Sequence, residues 1–286
     1  VASLKVIRKR ISSVRSTQQV TKAMKMVAAA KLRRAQERAE HARAYSDRLA
    51  DVLRRLAGVA GGSGHPFLAP AGNGPPHLIV VTGDRGLCGA YNANVVRLAE
   101  QFLSSREGEG ATVTACGRRG RDHLRSRGRN VVAEHVNLQG DMGVGLAREI
   151  AADAARRFVA GEAGKVFVVY TKFRSAISHQ PTIQQLLPIT QGEEGGDVAE
   201  TDYLYEPDAA SILRSILPRY LDTLVFHAML EATASEHGAR MTAMDSASRN
   251  ASDMIDRLTL AMNRARQASI TTELMEIVGG AEALKG

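Results

Sequence analysis

Apolar residues recur at intervals of three and four near the start of the chain. Leu4, Ile7, Ile11 and Val14 follow that spacing, and it resumes at Ala28, Leu32, Ala35, Ala39, Ala42, Leu49, Leu53 and Leu56. This is the period of an amphipathic helix. Between the two runs the apolar positions fall at Val20, Met24 and Val27, which predicts a one-position slip of a coiled-coil register. Residues 1–57 contain neither Gly nor Pro. The spacing therefore predicts one uninterrupted helix, roughly 85 Å long at the rise of an α-helix. The far end repeats the theme. Leu230, Ala234, His237, Met241, Met244, Ser248, Ala251, Ile255, Leu258, Met262 and Ala265 keep strict four-three spacing. From Arg219 to Val278 there is no Pro and a single Gly, Gly238. The second helix is expected to run about 90 Å, with Pro218 at an early position and Gly279-Gly280 as its stop. Helices of matching length at opposite ends of a chain predict an antiparallel coiled coil, with close approach along the Ala28–Ala42 seam.

The period changes between them. Residues 58–76 hold six Gly and four Pro and read as a connector. His77–Thr82, Thr112–Cys116, Val131–Val136 and Val166–Thr171 read as strands, and Asn92–Leu103 and Gly145–Val159 as helices. Strand and helix alternate, which predicts an α/β domain with a mainly parallel sheet. Gly192–Asp208 carries seven acids and no base and reads as a loop. The resulting division is an N-terminal coiled-coil helix over 1–57, the connector over 58–76, an α/β domain over 77–208, and a C-terminal coiled-coil helix over 209–286. A domain of ~140 residues is only about 35–40 Å across, so the paired helices must project as a shaft from a head. At the shaft's end Ile270, Leu274, Ile277 and Val278 stay wet unless a partner surrounds them.

Charge sharpens the picture. The net charge is +8. Residues 1–57 hold 15 basic against 4 acidic residues, a balance of +11, while the remainder holds 23 against 26, a balance of −3. The asymmetry points to an anionic partner for the first helix, with a plain solvated helix face as the alternative. No aromatic residue precedes Tyr45 and the chain has no Trp, which argues against base stacking and against a membrane-surface helix. An acidic protein surface fits best. The competing class is a basic coiled-coil nucleic-acid-binding protein, which leaves the α/β head and the apolar tip without a role. No apolar run approaches the ~18 residues of a membrane span, so no direct membrane insertion is expected. The N-terminus lacks the apolar core of an export signal. Two cysteines, Cys88 and Cys116, make no disulfide framework.

Catalytic chemistry is not assembled in this pattern. Gly83-Asp-Arg-Gly-Leu-Cys-Gly89 follows a strand and opens a helix, yet it lacks the G-x-G of a dinucleotide fingerprint and the Lys-Ser/Thr of a P-loop. It reads as a tight strand–helix turn. Cys88 beside Arg85 has no nearby base and reads as a small buried thiol. Arg118–Arg129 carries six Arg, either a dock for an anionic surface or a solvated loop and helix. The eight His show no metal spacing. No catalytic residue, cofactor site or metal site is expected, and the chain reads as noncatalytic by itself.

Four segments carry a resemblance. Thr17-Gln-Gln-Val-Thr-Lys-Ala-Met-Lys-Met-Val-Ala-Ala-Ala-Lys31 resembles the N-terminal signature of the gamma subunits of F-type ATP synthases. Asp84-Arg-Gly-Leu-Cys-Gly89 is similar to their central motif. Tyr203-Leu-Tyr-Glu-Pro-Asp208 and Ala265-Arg-Gln-Ala-Ser-Ile-Thr-Thr-Glu-Leu-Met-Glu-Ile-Val-Gly-Gly-Ala281 are similar to their later ones. Departures are small: Gln19 stands where Lys is common, and Ser248-Arg-Asn250 replaces a frequent Thr-Asp-Asn. The resemblance implies a central Rossmann-like α/β domain at the foot of an antiparallel coiled coil. It implies a rotor shaft in a ring of three alpha and three beta subunits, docked on an epsilon subunit and a membrane c ring. Proton flow turns the c ring, and ATP is made or hydrolysed in the beta subunits. It places the chain peripherally on the cytoplasmic face of a bacterial cell membrane, with no nucleic-acid partner. By motif, the contacts with beta or alpha map onto Met24, Arg85, Arg240, Arg266, Gln267, Thr271 and Glu273. The rotor tip in the bore maps onto Ile270, Leu274, Ile277 and Val278. The foot toward epsilon or the c ring maps onto Tyr203 and Glu206.

Overall fold

The computed structural model describes residues 4–59, 65–69, 72, 74–138, 143–189 and 208–283. The chain divides into two compact units, Ala28–Arg240 and the pair of segments Val1–Val27 with Met241–Gly286. Two long helices, α1 (Leu4–Val59) and α5 (Ala209–Ala283), contribute residues to both.

The larger unit is built on a five-stranded sheet. Its strands are β1 (His77–Val81), β2 (Thr112–Cys116), β3 (Val131–His135), β4 (Val166–Phe173) and β5 (His179–Leu187). The spatial order is β3-β2-β1-β4-β5, with the first four parallel and β5 antiparallel to β4. Helices α2 (Tyr91–Leu103), α3 (Arg118–Ser126) and α4 (Val144–Val159) alternate with the strands. Every residue of β1 is buried, as a central parallel strand covered on both faces must be. On one face Val95, Ala99 and Phe102 of α2 pack with Leu124 of α3 over Leu78, Val80 and Val113. On the other, α4 joins Leu53 and Leu56 from the end of α1 and Leu213, Leu217, Leu221 and Val225 from the start of α5. The end of one long helix thus lies with the start of the other, the antiparallel sense expected.

The antiparallel strand β5 is absent from the expectation. Its sequence, His-Gln-Pro-Thr-Ile-Gln-Gln-Leu-Leu, is too polar for a buried strand and carries Pro181. It survives because it is an edge strand, where a missing N–H costs no ladder bond. α5 starts at Ala209, so Pro218 falls in its third turn and not at its start. Asp208 accepts hydrogen bonds from the Ser211 N–H and hydroxyl, both at 2.7 Å, and caps the helix well before Pro218. Pro218 lies inside the helix on its exposed side, where the freed carbonyl meets water. Nor does Gly279-Gly280 end it, since the helix continues to Ala283.

The smaller unit corrects the register of α1. Val20 and Val27 are 54% and 58% exposed, while Thr21 is buried and Gln18 half-buried. The seam runs Leu4, Ile7, Ile11, Val14, Gln18, Thr21, Lys25 without any slip, in one continuous heptad phase. Polar residues hold the middle of that phase. Lys25 Nζ lies 2.6 Å from Asp245 Oδ1 on α5, and Arg249 pairs with the same carboxylate at 2.9 Å. The α5 stripe behaves as its spacing predicts: Met244 and Ala251 are buried, and Ser248, Ile255, Leu258, Met262 and Ala265 are half-buried.

In the larger unit, the single Gly within the Arg219–Val278 run has a packing cause. A Cβ on Gly238 would sit 2.9 Å from Cε1 of His179 and 3.3 Å from the Ala176 carbonyl oxygen. The helix thins there to admit the β4–β5 hairpin. Gly238→Ala is expected to lower stability by about 1 kcal/mol, overpacking outweighing the gain in helix propensity. Adding His179→Ala to it should restore at least wild-type stability in urea titrations. A double variant no more stable than Gly238→Ala would show that the hairpin is not what the glycine accommodates.

Candidate functional site

Strand order reverses between β1 and β4, so the C-terminal end of β1 is the topological switch point of the sheet. Doubly wound folds bind ligands in the crevice there. Here the crevice holds the Gly83–Gly89 turn and one face of α5. Ser235, wholly buried, donates to the carbonyl of Thr171 at the end of β4 (3.1 Å). A Cβ on Gly83 would fall 2.8–2.9 Å from the Glu236 carboxylate. Where other folds of this topology admit a nucleotide, this chain inserts its own helix.

The turn is held from both sides. Toward α3, Asp84 Oδ1 accepts from the N–H of Arg118 (2.9 Å) and of Asn137 (3.0 Å). Its charge sits at the positive N-terminus of that helix. The Gly83 carbonyl takes the N–H of Arg119, and Thr82 Oγ1 takes that of Gly120. Toward α2, Asn92 accepts from the Gly83 N–H at 2.9 Å and donates to the Arg85 carbonyl at 3.2 Å. Toward α5, Arg240 Nη2 donates to the Gly86 carbonyl at 3.3 Å and to Glu236 Oε1 at 2.6 Å. Leu87 is held at φ 62°, a left-handed conformation unfavourable for a leucine, with its side chain 63% exposed. Arg85 is exposed beside it.

Beneath the turn, Cys88, Tyr91 and Ala239 form a small buried cluster. Burial pushes the Cys88 thiol up, against the pull of Arg240 and with the push of Glu236. It is a protonated, shielded thiol, as the lack of a neighbouring base suggested. Burial carries Cys116 further, to about 12. Among the described residues no group of three His, Cys, Asp or Glu side chains is placed to hold a metal ion.

The expected contact residues fall into separate sets. Arg85 and Arg240 meet at this turn, but they face opposite ways. Arg240 has a side chain only 13% exposed and is spent on Glu236 and Gly86, whereas Arg85 is free in solvent. Arg266, Gln267, Thr271, Glu273, Ile270, Leu274, Ile277 and Val278 share the last stretch of α5, where every residue from 270 to 281 is exposed. Lys25 opposite Asp245 sets the pairing, and α1 then runs out of residues near about position 266 of α5 by helical rise. Beyond that point, among the described residues, α5 has no helix beside it. Ile277 is 68% and Val278 60% exposed. Met24 is half-buried next to the seam, and the neighbouring Val20, Met26 and Val27 are exposed among the bases of α1. Tyr203 and Glu206 lie outside the described residues. No pattern in the sequence marks Glu236, Asn92 or Leu87. A glutamate four residues before an arginine on a helix reads as a surface pair, and nothing local reveals that both point at a turn some 150 residues away.

The arginines of Arg118–Arg129 are largely used internally. Arg121 and Arg125 pair with Glu134, Arg129 with Glu100, and Arg118 with the Asn137 side chain. This run is a stitched helix on the sheet, and its docking role loses support.

The sequence family described as ATP synthase matches residues 3–284. An ATP synthase gamma chain of Pelotomaculum thermopropionicum is 48% identical over 283 residues, 99% of both chains. One from Geobacter metallireducens is 48% identical over 288 residues, covering both chains completely. Among solved structures, a chain of the central stalk and c-ring of the Tetrahymena thermophila mitochondrial ATP synthase superposes with a TM-score of 0.62. It is 26% identical, over 80% of this chain and 99% of that one.

Proposed function

The chain belongs to the ATP synthase gamma-chain family, and from that premise we propose a residue-level account of the central rotor shaft of an F-type ATP synthase. The chain is a noncatalytic subunit: it couples rotation of the c ring to ATP synthesis or hydrolysis in the beta subunits. Its partners are three alpha and three beta subunits, epsilon and the c ring. The observation that carries this is the end-to-end match, at 48% identity over 99% of both chains. It is a peripheral subunit of a membrane complex, and no described helix is long and apolar enough to cross a membrane. We place it on the cytoplasmic face of a bacterial cell membrane, in keeping with its bacterial relatives.

The unpartnered end of α5 supports a bearing inside the ring. Ile270, Leu274, Ile277 and Val278, at i, i+4, i+7 and i+8, give it an exposed apolar stripe, one that slides without locking. Arg266, Gln267, Thr271 and Glu273 supply polar contacts at defined angles. The exposed bases of α1, with Met24 among them, suit acidic loops of beta. Arg85 does the same from the larger unit. Tyr203 and Glu206 serve the foot toward epsilon or the c ring.

Co-expression with alpha and beta subunits tests the whole reading. A single gel-filtration peak of six ring subunits plus one shaft, with magnesium-ATPase above that of the ring alone, is the expected result. Separate elution with an indifferent ring would reject it. Within the holoenzyme, Arg266→Ala should lower the protons pumped per ATP hydrolysed about tenfold or less, the range for one lost charge-assisted contact. Unchanged hydrolysis and pumping would remove Arg266 from the contact set.

A further inference from the structure

We propose that Arg240 is a positioning residue, locking the Gly86 carbonyl to α5 so that the Gly83–Gly89 turn presents Arg85 to the ring at a fixed angle. The proposal rests on the rotor reading above and moves Arg240 from direct contact to support of the contact.

Geometry argues for support. A residue that touches a neighbouring subunit must have donors facing out. The Arg240 side chain is only 13% exposed, and its Nη2 is shared between Glu236 Oε1 at 2.6 Å and the Gly86 carbonyl at 3.3 Å. The other terminal nitrogen, Nη1, lies 3.4 Å from His237 Nδ1. Glu236 is equally enclosed, 14% exposed, and Gly83 has no Cβ because the carboxylate occupies that space. A largely buried ion pair is a poor source of net stability, since desolvation offsets its attraction. Its specific effect is directional: the planar guanidinium joins a carboxylate on its own helix to one carbonyl of a distant turn.

The turn needs such a partner. Leu87 sits in a left-handed conformation that a leucine adopts only when its surroundings impose it. The α3 and α2 sides of the turn are fixed by the Asp84, Gly83 and Asn92 hydrogen bonds. These hold residues 83–85, Asn92 and Tyr91 hold Cys88 to α2 at 3.2 Å each, and among the described residues the turn's hydrogen bond to α5 is the one at Gly86. Load on Arg85 then reaches α5 through one carbonyl and one guanidinium. Without that strut, the exposed half of the turn yields and the push is lost as local motion.

Cys88, under the turn, reports on the strut. It is 1% exposed, and the chain's other thiol, Cys116, is fully buried in the sheet. In the assembled holoenzyme, Arg240→Ala and Glu236→Ala are each expected to speed maleimide labelling of Cys88 about tenfold, as losing one charge-assisted bond does to a local opening. Cys116 should stay unlabelled in both. Both variants should lower protons pumped per ATP hydrolysed to the same extent, and the double variant should be no worse than either single. A purely structural pair would alter labelling but leave that ratio intact, and this outcome overturns the proposal. So does a Glu236→Ala enzyme that couples normally beside an Arg240→Ala enzyme that does not, because Arg240 would then act by direct contact. Labelling of Cys116 would signal unfolding, in which case Glu236→Gln, isosteric and uncharged, is read by the same criteria. If the wild-type chain fails to assemble or pump, the rotor reading fails, whereas Cys88 protection in the isolated chain still decides whether the strut exists.

Discussion

Gly117→Ala is expected to cost the larger unit more than about 3 kcal/mol, because backbone conformation and space both oppose the added methyl group. Gly117 has φ +96°, outside the range of L side chains, and its Cβ would lie 2.1 Å from the Thr82 carbonyl oxygen. The obstacle is backbone at the end of β1, so no rotamer change relieves it. Any shift also breaks the Thr82 N–H bond to the Cys116 carbonyl (2.8 Å) and the Gly117 N–H bond to the His135 carbonyl (2.7 Å). Three parallel strands meet at that point, directly beneath the Gly83–Gly89 turn. Gly128 supplies the comparison. It too has positive φ, +69°, but open space surrounds its missing Cβ. Gly128→Ala should therefore cost only about 1 kcal/mol, the conformational penalty alone. Urea unfolding of both variants checks this, and equal losses would mean that contact with Thr82 is relieved elsewhere.

Strands β1 and β4 are legible as apolar runs next to Gly or Pro, and β2 and β3 as short segments with β-branched residues between turn signals. So is the pairing of α1 with α5, because a stripe of Ile, Leu and Ala every seven residues needs a matching face. The register slip that Val20, Met24 and Val27 predict does not occur. Hydrophobicity does not choose the seam here; the geometry of an unbroken heptad assigns it to Gln18, Thr21 and Lys25. Val20 and Val27 stand outside it, with Met24 half-buried beside the seam, and fit the partner-facing surface proposed for α1. Strand β5 escaped because an edge strand need be neither apolar nor free of proline. The Glu236–Arg240 strut escaped because its meaning depends on Gly86, and no local pattern encodes that meeting.

His77 supplies the second large effect, an acid sensitivity of the same sheet. Its ring is fully buried on β1, with Nδ1 2.7 Å from Thr112 Oγ1 and Nε2 3.0 Å from Thr114 Oγ1. Both partners are hydroxyls, so neither offsets a positive charge. Burial, reinforced by Arg157 and Arg156 against the opposing pull of Asp153, lowers the imidazole to about 4. An unfolded histidine binds a proton near pH 6.5, so between that pH and about 4 the unfolded chain is protonated at a site where the native one is not. Stability is therefore complete above the unfolded value and falls as pH drops through this window. The expected loss is about 3 kcal/mol from this one ring. His237, buried and lowered to about 4 by desolvation with Arg240 and Lys31, adds a slope of the same sign. His77→Gln, which cannot charge, should be less stable than wild type at neutral pH, and the gap should shrink by about 3 kcal/mol near pH 4. A gap that stays constant with pH would mean that His77 keeps its proton in the folded sheet, with the Thr112 and Thr114 hydroxyls turned to accept from it.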